Sequence, residues 1–228
     1  MSTDHLTPAQ LAAYIDHTLL KSDASLVQIE QLCAAAQGRG FFSVCVNGSW
    51  VVSARHFLDG TDVKVACVVG FPLGAMSGDV KRYETEVAID EGAHEIDVVL
   101  NIARLKAGED KYVFRELVDV VEAADERTVK VILETCLLTD EEKVRACKLV
   151  VDSGAHFVKT STGFGTAGAT IADVKLMRET VGPDFGVKAS GGIRDAQTAL
   201  AMIAAGATRL GTTSGMAIVN GLSGGGTY

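Results

Sequence analysis

At 228 residues, with 47% hydrophobic and 22% charged residues, the chain has the make-up of a globular enzyme large enough for one full core. Its formal net charge of −8 repels polyanions, which argues against nucleic-acid binding and requires any phosphate to be held by a local site. Five cysteines, an odd number without CxxC or Cys/His ligand spacing, argue against a disulfide framework or structural zinc and fit a reducing cytoplasm.

The opening MSTDHLTPAQLAAYIDHTLL has no basic segment and carries Asp and His inside its apolar stretch, so it does not read as a signal peptide. No uninterrupted apolar run is long enough to span a bilayer, and a soluble, cytoplasmic protein without membrane partners is expected. Thr7 and Pro8, an N-cap followed by proline at the first helical position, open a short N-terminal helix expected over 8–14. Strand-like segments follow at 14–19, 42–47, 63–70, 94–101, 129–135, 156–160, 185–190 and 208–212. Between them run amphipathic stretches of helical period, such as 25–37, 79–92, 140–154 and 171–182. Several are followed by a glycine in the C-cap position (Gly38, Gly92, Gly154, Gly206).

Alternating strand and helix implies parallel strands joined by crossover helices. The strands recur at close to the roughly 30 residues of one βαβ step. Eight such units predict a single (β/α)8 TIM barrel over 1–228, with the short extra helix at its start and a flexible tail, 221–228, at its end. An open doubly wound sheet is the alternative. It would carry a nucleotide fingerprint after the first strand, and YIDHTLLKSD contains none.

In such a barrel the site forms at the C-terminal ends of the strands, so polar residues late in apolar strands are the candidates. Lys159 in HFVKTSTGFG and Lys188 in FGVKASGGIR hold matching places in the sixth and seventh strands. Burying an ammonium in an apolar strand is costly without a partner. Asp97, in EIDVVLN, alternates with Ile96 and Val98 and therefore faces the barrel interior. Asp16, Cys45, Lys130 and Glu134 are further candidates from the first, second and fifth strands, and an ion pair with Lys130 is the structural alternative for Asp97.

A lysine attacks carbonyls only as the neutral amine, and desolvation or a second cation lowers its pKa. Two lysines and a carboxylate can thus form a Schiff base and move protons to and from it. The glycine-rich stretches Ser161-Thr162-Gly163, Ser190-Gly191-Gly192 and Gly211-Thr212-Thr213-Ser214 follow strands six, seven and eight. There, backbone N–H groups and a short helix cradle phosphate in this barrel type, and Arg194 could add a charge. The five histidines lack metal-site spacing, and only His17 lies near the expected rim. Cys45, Cys67, Trp50 and the phenylalanines read as packing.

Taken together, IDHTLL (15–20), SVCVN (43–47), VVGFPLG (68–74), EIDVVLNI (95–102), KVILET (130–135), FVKTSTGF (157–164), VKASGGIR (187–194) and RLGTTSG (209–215) resemble the class I, Schiff-base-forming deoxyribose-phosphate aldolases over nearly the whole length. The resemblance implies reversible, cofactor-free cleavage of 2-deoxy-D-ribose 5-phosphate to acetaldehyde and D-glyceraldehyde 3-phosphate, without metal. It matches Lys159 to the Schiff-base lysine, Lys188 to the lysine that lowers its pKa, and Asp97 to the proton relay. Asp16 and Thr18 fall in the first-strand rim motif. Gly163, Gly191, Gly192, Gly211, Thr213 and Ser214 match the phosphate cradle, and Tyr228 matches a tyrosine on the tail that assists proton transfer. Where some relatives carry a basic residue after STG, this chain has Phe164, so its phosphate contacts fall more on backbone N–H groups. Barrels of this size are commonly homodimers. The alternatives are another phosphosugar-binding TIM-barrel enzyme, metal-dependent or an isomerase, and a non-catalytic phosphosugar-binding protein.

Overall fold

The computed structural model describes residues 6–221. Its strands are β1 (Ile15–Leu19), β2 (Ser43–Val46), β3 (Lys64–Val69), β4 (Glu95–Val99), β5 (Thr128–Ile132), β6 (Phe157–Lys159), β7 (Gly186–Ser190) and β8 (Arg209–Thr212). They pair in sequence order, all parallel, and β8 returns to β1 to close the barrel. The helices are α1 (Pro8–Ala12), α2 (Leu26–Arg39), α3 (Val51–Phe57), α4 (Gly78–Asp90), α5 (Ile102–Lys106), α6 (Asp110–Ala123), α7 (Asp140–Asp152), α8 (Ile171–Val181), α9 (Ala196–Ala204) and α10 (Gly215–Val219). The expected (β/α)8 TIM barrel with its short N-terminal helix is therefore the observed architecture.

Local sequence accounts for the element ends. Reciprocal capping boxes join Thr7 to Gln10, Ser25 to Gln28 and Thr139 to Glu142, each satisfying N–H groups that a helix start leaves open. α1 stops at Ala12, short of the expected 14, because Ile15 already begins β1. The glycine cap of α2 is Gly40, at φ +67°, and not Gly38, which lies inside the helix. Gly92, Gly154 and Gly206 stand at their helix ends as expected, each at positive φ.

The main apolar core fills the layer between strands and helices, with Val44, Val65, Ile96, Val98, Val131, Val158, Val187 and Leu210 pointing outward into it. A smaller apolar cluster of Leu20, Cys45, Ala66 and Val68, with Phe71 against it, occupies the inward face of β1 to β3. Much of the rest of the interior is charged, although Val99 and Ile132 also lie on the inward face. By strand alternation Asp16, Glu95, Asp97, Lys130, Lys159, Lys188 and Arg209 share the inward face, and all seven are buried. Barrel interiors are more often packed with branched apolar layers, so this column of charge marks the candidate site.

Candidate active site

Ion pairs connect the seven side chains into one network. Lys159 Nζ and Lys188 Nζ each lie 2.7 Å from the same oxygen, Asp97 Oδ2. Asp97 Oδ1 accepts from Lys130 Nζ at 2.7 Å, and Lys130 also meets Glu95 at 2.6 Å. Lys188 reaches Asp16 Oδ2 at 2.5 Å, and Arg209 lies 3.0 Å from Asp16 and 3.3 Å from Glu95. Phe42 stacks on the Arg209 guanidinium, 3.4 Å from its central carbon, so the cation is held by aromatic contact as well as by charge. Asp97 thus serves both as the partner of Lys130, the structural role open to it from sequence, and as the meeting point of the two candidate lysines.

Three carboxylates face four basic side chains, so the buried cluster balances only when one base is neutral. The surroundings select which. Burial depresses Lys159; Asp97 pulls its pKa back up, Lys188 pushes it down again, and the outcome is a lowered value. Burial also opposes charge on Lys188, but Asp16 and Asp97 outweigh it and raise that pKa. Lys130 is raised by Asp97 and Glu95 against burial, and Arg209 by Asp16 and Glu95 against burial. Burial favours the neutral acid at Asp97 and at Asp16, yet the surrounding cations hold both below the usual carboxylate range. Lys159 is therefore the amine of the cluster that can be uncharged and nucleophilic. Lys188 assists from the oxygen they share, by a smaller effect than burial itself.

The remaining candidates separate into groups. Thr18, inward on β1, donates to the Asp16 carbonyl at 2.9 Å. Gly211 lies within β8, where a Cβ would stand 3.1 Å from Lys188 Cε; the glycine leaves room for the lysine stem. Gly163, Gly191, Gly192, Thr213 and Ser214 occupy loops after β6, β7 and β8, and these loops are laced together. Thr160 Oγ1 donates to Ser190 O at 3.1 Å, Ser190 Oγ to Ser161 O at 2.6 Å, and Thr212 Oγ1 to Ile193 O at 2.7 Å. Gly168 packs so closely that a Cβ there would fall 2.2 Å from Gly191 O. The side-chain oxygens of Ser161 and Ser214 are buried without a hydrogen-bond partner among the described residues. Arg194 is exposed. Tyr228 lies outside the described residues.

His17, expected only to lie near the rim, points outward from β1 against Phe41, ring centroids 5.1 Å apart, and burial pushes its pKa down to about 4. Phe164 is not packed in a core; it is 47% exposed and meets Phe71 edge-on at 5.2 Å. Sequence reading missed Glu95 and Arg209 as members of the network, although each lies two residues, one inward step, from an inward candidate on its own strand. It also missed a second buried pair between α4 and α6, where Lys81 Nζ meets Glu116 Oε1 at 2.6 Å and Val99 O at 2.8 Å. Among the described residues, no cluster of three or more His, Cys, Asp or Glu side chains could hold a metal.

Residues 10–223 match the DeoC/LacD family of aldolases. A deoxyribose-phosphate aldolase of Alkaliphilus oremlandii is 59% identical over 211 residues, 92% of this chain and 95% of the relative. One from a Geobacillus species is 58% identical over 219 residues, 96% of this chain and 98% of the relative. Among solved structures, the tetrameric deoxyribose phosphate aldolase of Aeropyrum pernix superposes with a TM-score of 0.88 at 33% identity, covering 94% of this chain and 91% of its own.

Proposed function

This chain belongs to the DeoC/LacD family of aldolases, and from that membership we propose that it cleaves 2-deoxy-D-ribose 5-phosphate reversibly to acetaldehyde and D-glyceraldehyde 3-phosphate through a Schiff base on Lys159. The observation that carries the assignment of Lys159 is its lowered pKa at an oxygen it shares with a second lysine. Its neutral amine adds to the C1 aldehyde of the open-chain sugar, and loss of water gives an iminium. The iminium draws electrons from the C2–C3 bond as the C3 hydroxyl gives up its proton. That bond breaks, releasing glyceraldehyde 3-phosphate and leaving a two-carbon enamine on Lys159. Protonation at C2 and hydrolysis then free acetaldehyde and the amine.

Asp97, at hydrogen-bond distance from Lys159 Nζ, is the relay for these protons, and Lys188 keeps the carboxylate ionised and the neighbouring amine uncharged. Asp16 anchors Lys188. The backbone N–H groups of the loops bearing Gly163, Gly191, Gly192, Thr213 and Ser214 take the phosphate, with Thr18 and Gly211 shaping the floor beside Lys188. No cofactor takes part. The protein acts in the cytoplasm as a homodimer, which sedimentation velocity separates from the tetramer of the Aeropyrum pernix relative. Borohydride added with acetaldehyde reduces the imine and leaves an ethyl group on Lys159, found by peptide mapping. Active protein with no label on Lys159 refutes the assignment.

A further inference from the structure

Glu134 stands just beyond β5, buried to 3% exposure, with its backbone left-handed at φ +55° and ψ +62°. A non-glycine residue seldom adopts this conformation without a compensating contact. Apart from a 4.0 Å contact from Cys136 Sγ, the side-chain contacts lead to one place. Glu134 Oε1 accepts from the Thr162 backbone N–H at 3.2 Å, and Oε2 accepts from the Thr162 hydroxyl. The same hydroxyl oxygen accepts from Phe164 N–H at 3.0 Å. Of three successive amides in the loop after β6, the two outer ones are thereby tied. The middle one, Gly163 N–H, has no partner among the described residues, and Gly163 sits at φ +88°. Gly165 closes the arrangement, since a Cβ there would come 3.1 Å from the Glu134 carboxylate carbon.

We propose that Glu134 is a positioning residue for the phosphate: by tying down the amides on either side, it presents the Gly163 N–H to the substrate's anionic end. The proposal rests on the aldolase reading above and extends it to specificity. A carboxylate is electrostatically unfavourable beside a loop that takes an anion, so its burial there is explained by the hydrogen bonds it accepts. Only a carboxylate accepts at both oxygens. A glutamine replaces one acceptor with an NH2 group, which would face either the Thr162 N–H or a hydroxyl whose own proton then lacks an acceptor.

The test compares Glu134→Gln with the unmodified enzyme on 2-deoxyribose 5-phosphate and on unphosphorylated 2-deoxyribose. Loss of hydrogen bonds to a charged group should lower the ratio of kcat/KM for phosphorylated over unphosphorylated substrate by roughly 10- to 100-fold, mainly through KM. Thr162→Val, which removes the bridging hydroxyl, should lower the ratio in the same direction, and Thr162→Ser should restore it. A general loss of folded enzyme lowers both activities and leaves the ratio intact, so a ratio unchanged in the soluble variants overturns the proposal. Failure of the aldolase reading is distinguishable, because the unmodified protein would then turn over neither substrate.

Discussion

Replacing Lys188 with methionine tests the division of labour between the two lysines. Lys188 and Lys159 each lie 2.7 Å from Asp97 Oδ2, so their nitrogens can be no further apart than twice that distance. Two charges about 5 Å apart, at the effective dielectric of about 20 that suits buried groups, repel by about 3 kcal/mol. Removing Lys188 takes this repulsion away from protonated Lys159 and leaves Asp97 to hold the proton, so the Lys159 pKa rises. Asp16 keeps Arg209 at 3.0 Å, which limits the collateral loss of partners. Only the neutral amine reacts, so kcat/KM at neutral pH should drop by up to the order of 100-fold, the equivalent of that repulsion, and the acid limb of the pH–rate profile should move to higher pH. Activity should recover at high pH. The assay is the cleavage rate of 2-deoxyribose 5-phosphate from pH 6 to 10, with borohydride trapping at Lys159 followed by mass spectrometry over the same range. A loss that is equal at every pH, with the limb unmoved, refutes the electrostatic role and leaves Lys188 as a packing or substrate-contacting group.

Two further outcomes concern stability. His17 ordinarily titrates near 6.5, and burial pushes it to about 4 in the folded chain. The unfolded chain therefore binds the extra proton first, and about 3 kcal/mol of stability should be lost as pH falls from 6.5 to 4. Asp16 and Asp97, both depressed by the cations around them, stabilise the fold above the unfolded carboxylate pKa and add a second loss as pH falls further. Thermal unfolding followed from pH 8 to 2 should show both phases, and His17→Gln should shrink the first, leaving the smaller share of His94, whose pKa burial also lowers; a flat Tm across that range contradicts the assignment. Lys81→Met strands Glu116 in the layer between α4 and α6 and should cost about 3–5 kcal/mol in chemical denaturation, whereas Lys81→Met with Glu116→Leu should recover most of it. A double variant as unstable as the single one would show that the Lys81 bond to Val99 O, and not the ion pair, is what matters.

Much of the site could be read along the chain because strand alternation converts sequence parity into direction. Asp97 between Ile96 and Val98 had to face inward, and equal placement of Lys159 and Lys188 in successive units set them side by side, where β6 and β7 pair them in register. The barrel followed from periodicity and spacing, since eight parallel strands joined by crossover helices have few ways to close. Parity does not say how far down the barrel a side chain lies or which neighbour it meets. Parity could place Glu95 and Arg209 inward but not in the network, while His17, next to Asp16, lies on the opposite face as alternation requires. Glu134 could be placed near the rim, but its hold on Thr162 depends on a left-handed backbone across two strands. Sequence by itself determined the fold and the residues able to do amine chemistry, because both rest on local period and residue type. Only the tertiary structure decided which lysine has its pKa lowered and which has it raised, because that depends on burial and on the count of charges gathered within a few ångströms from seven places along the chain.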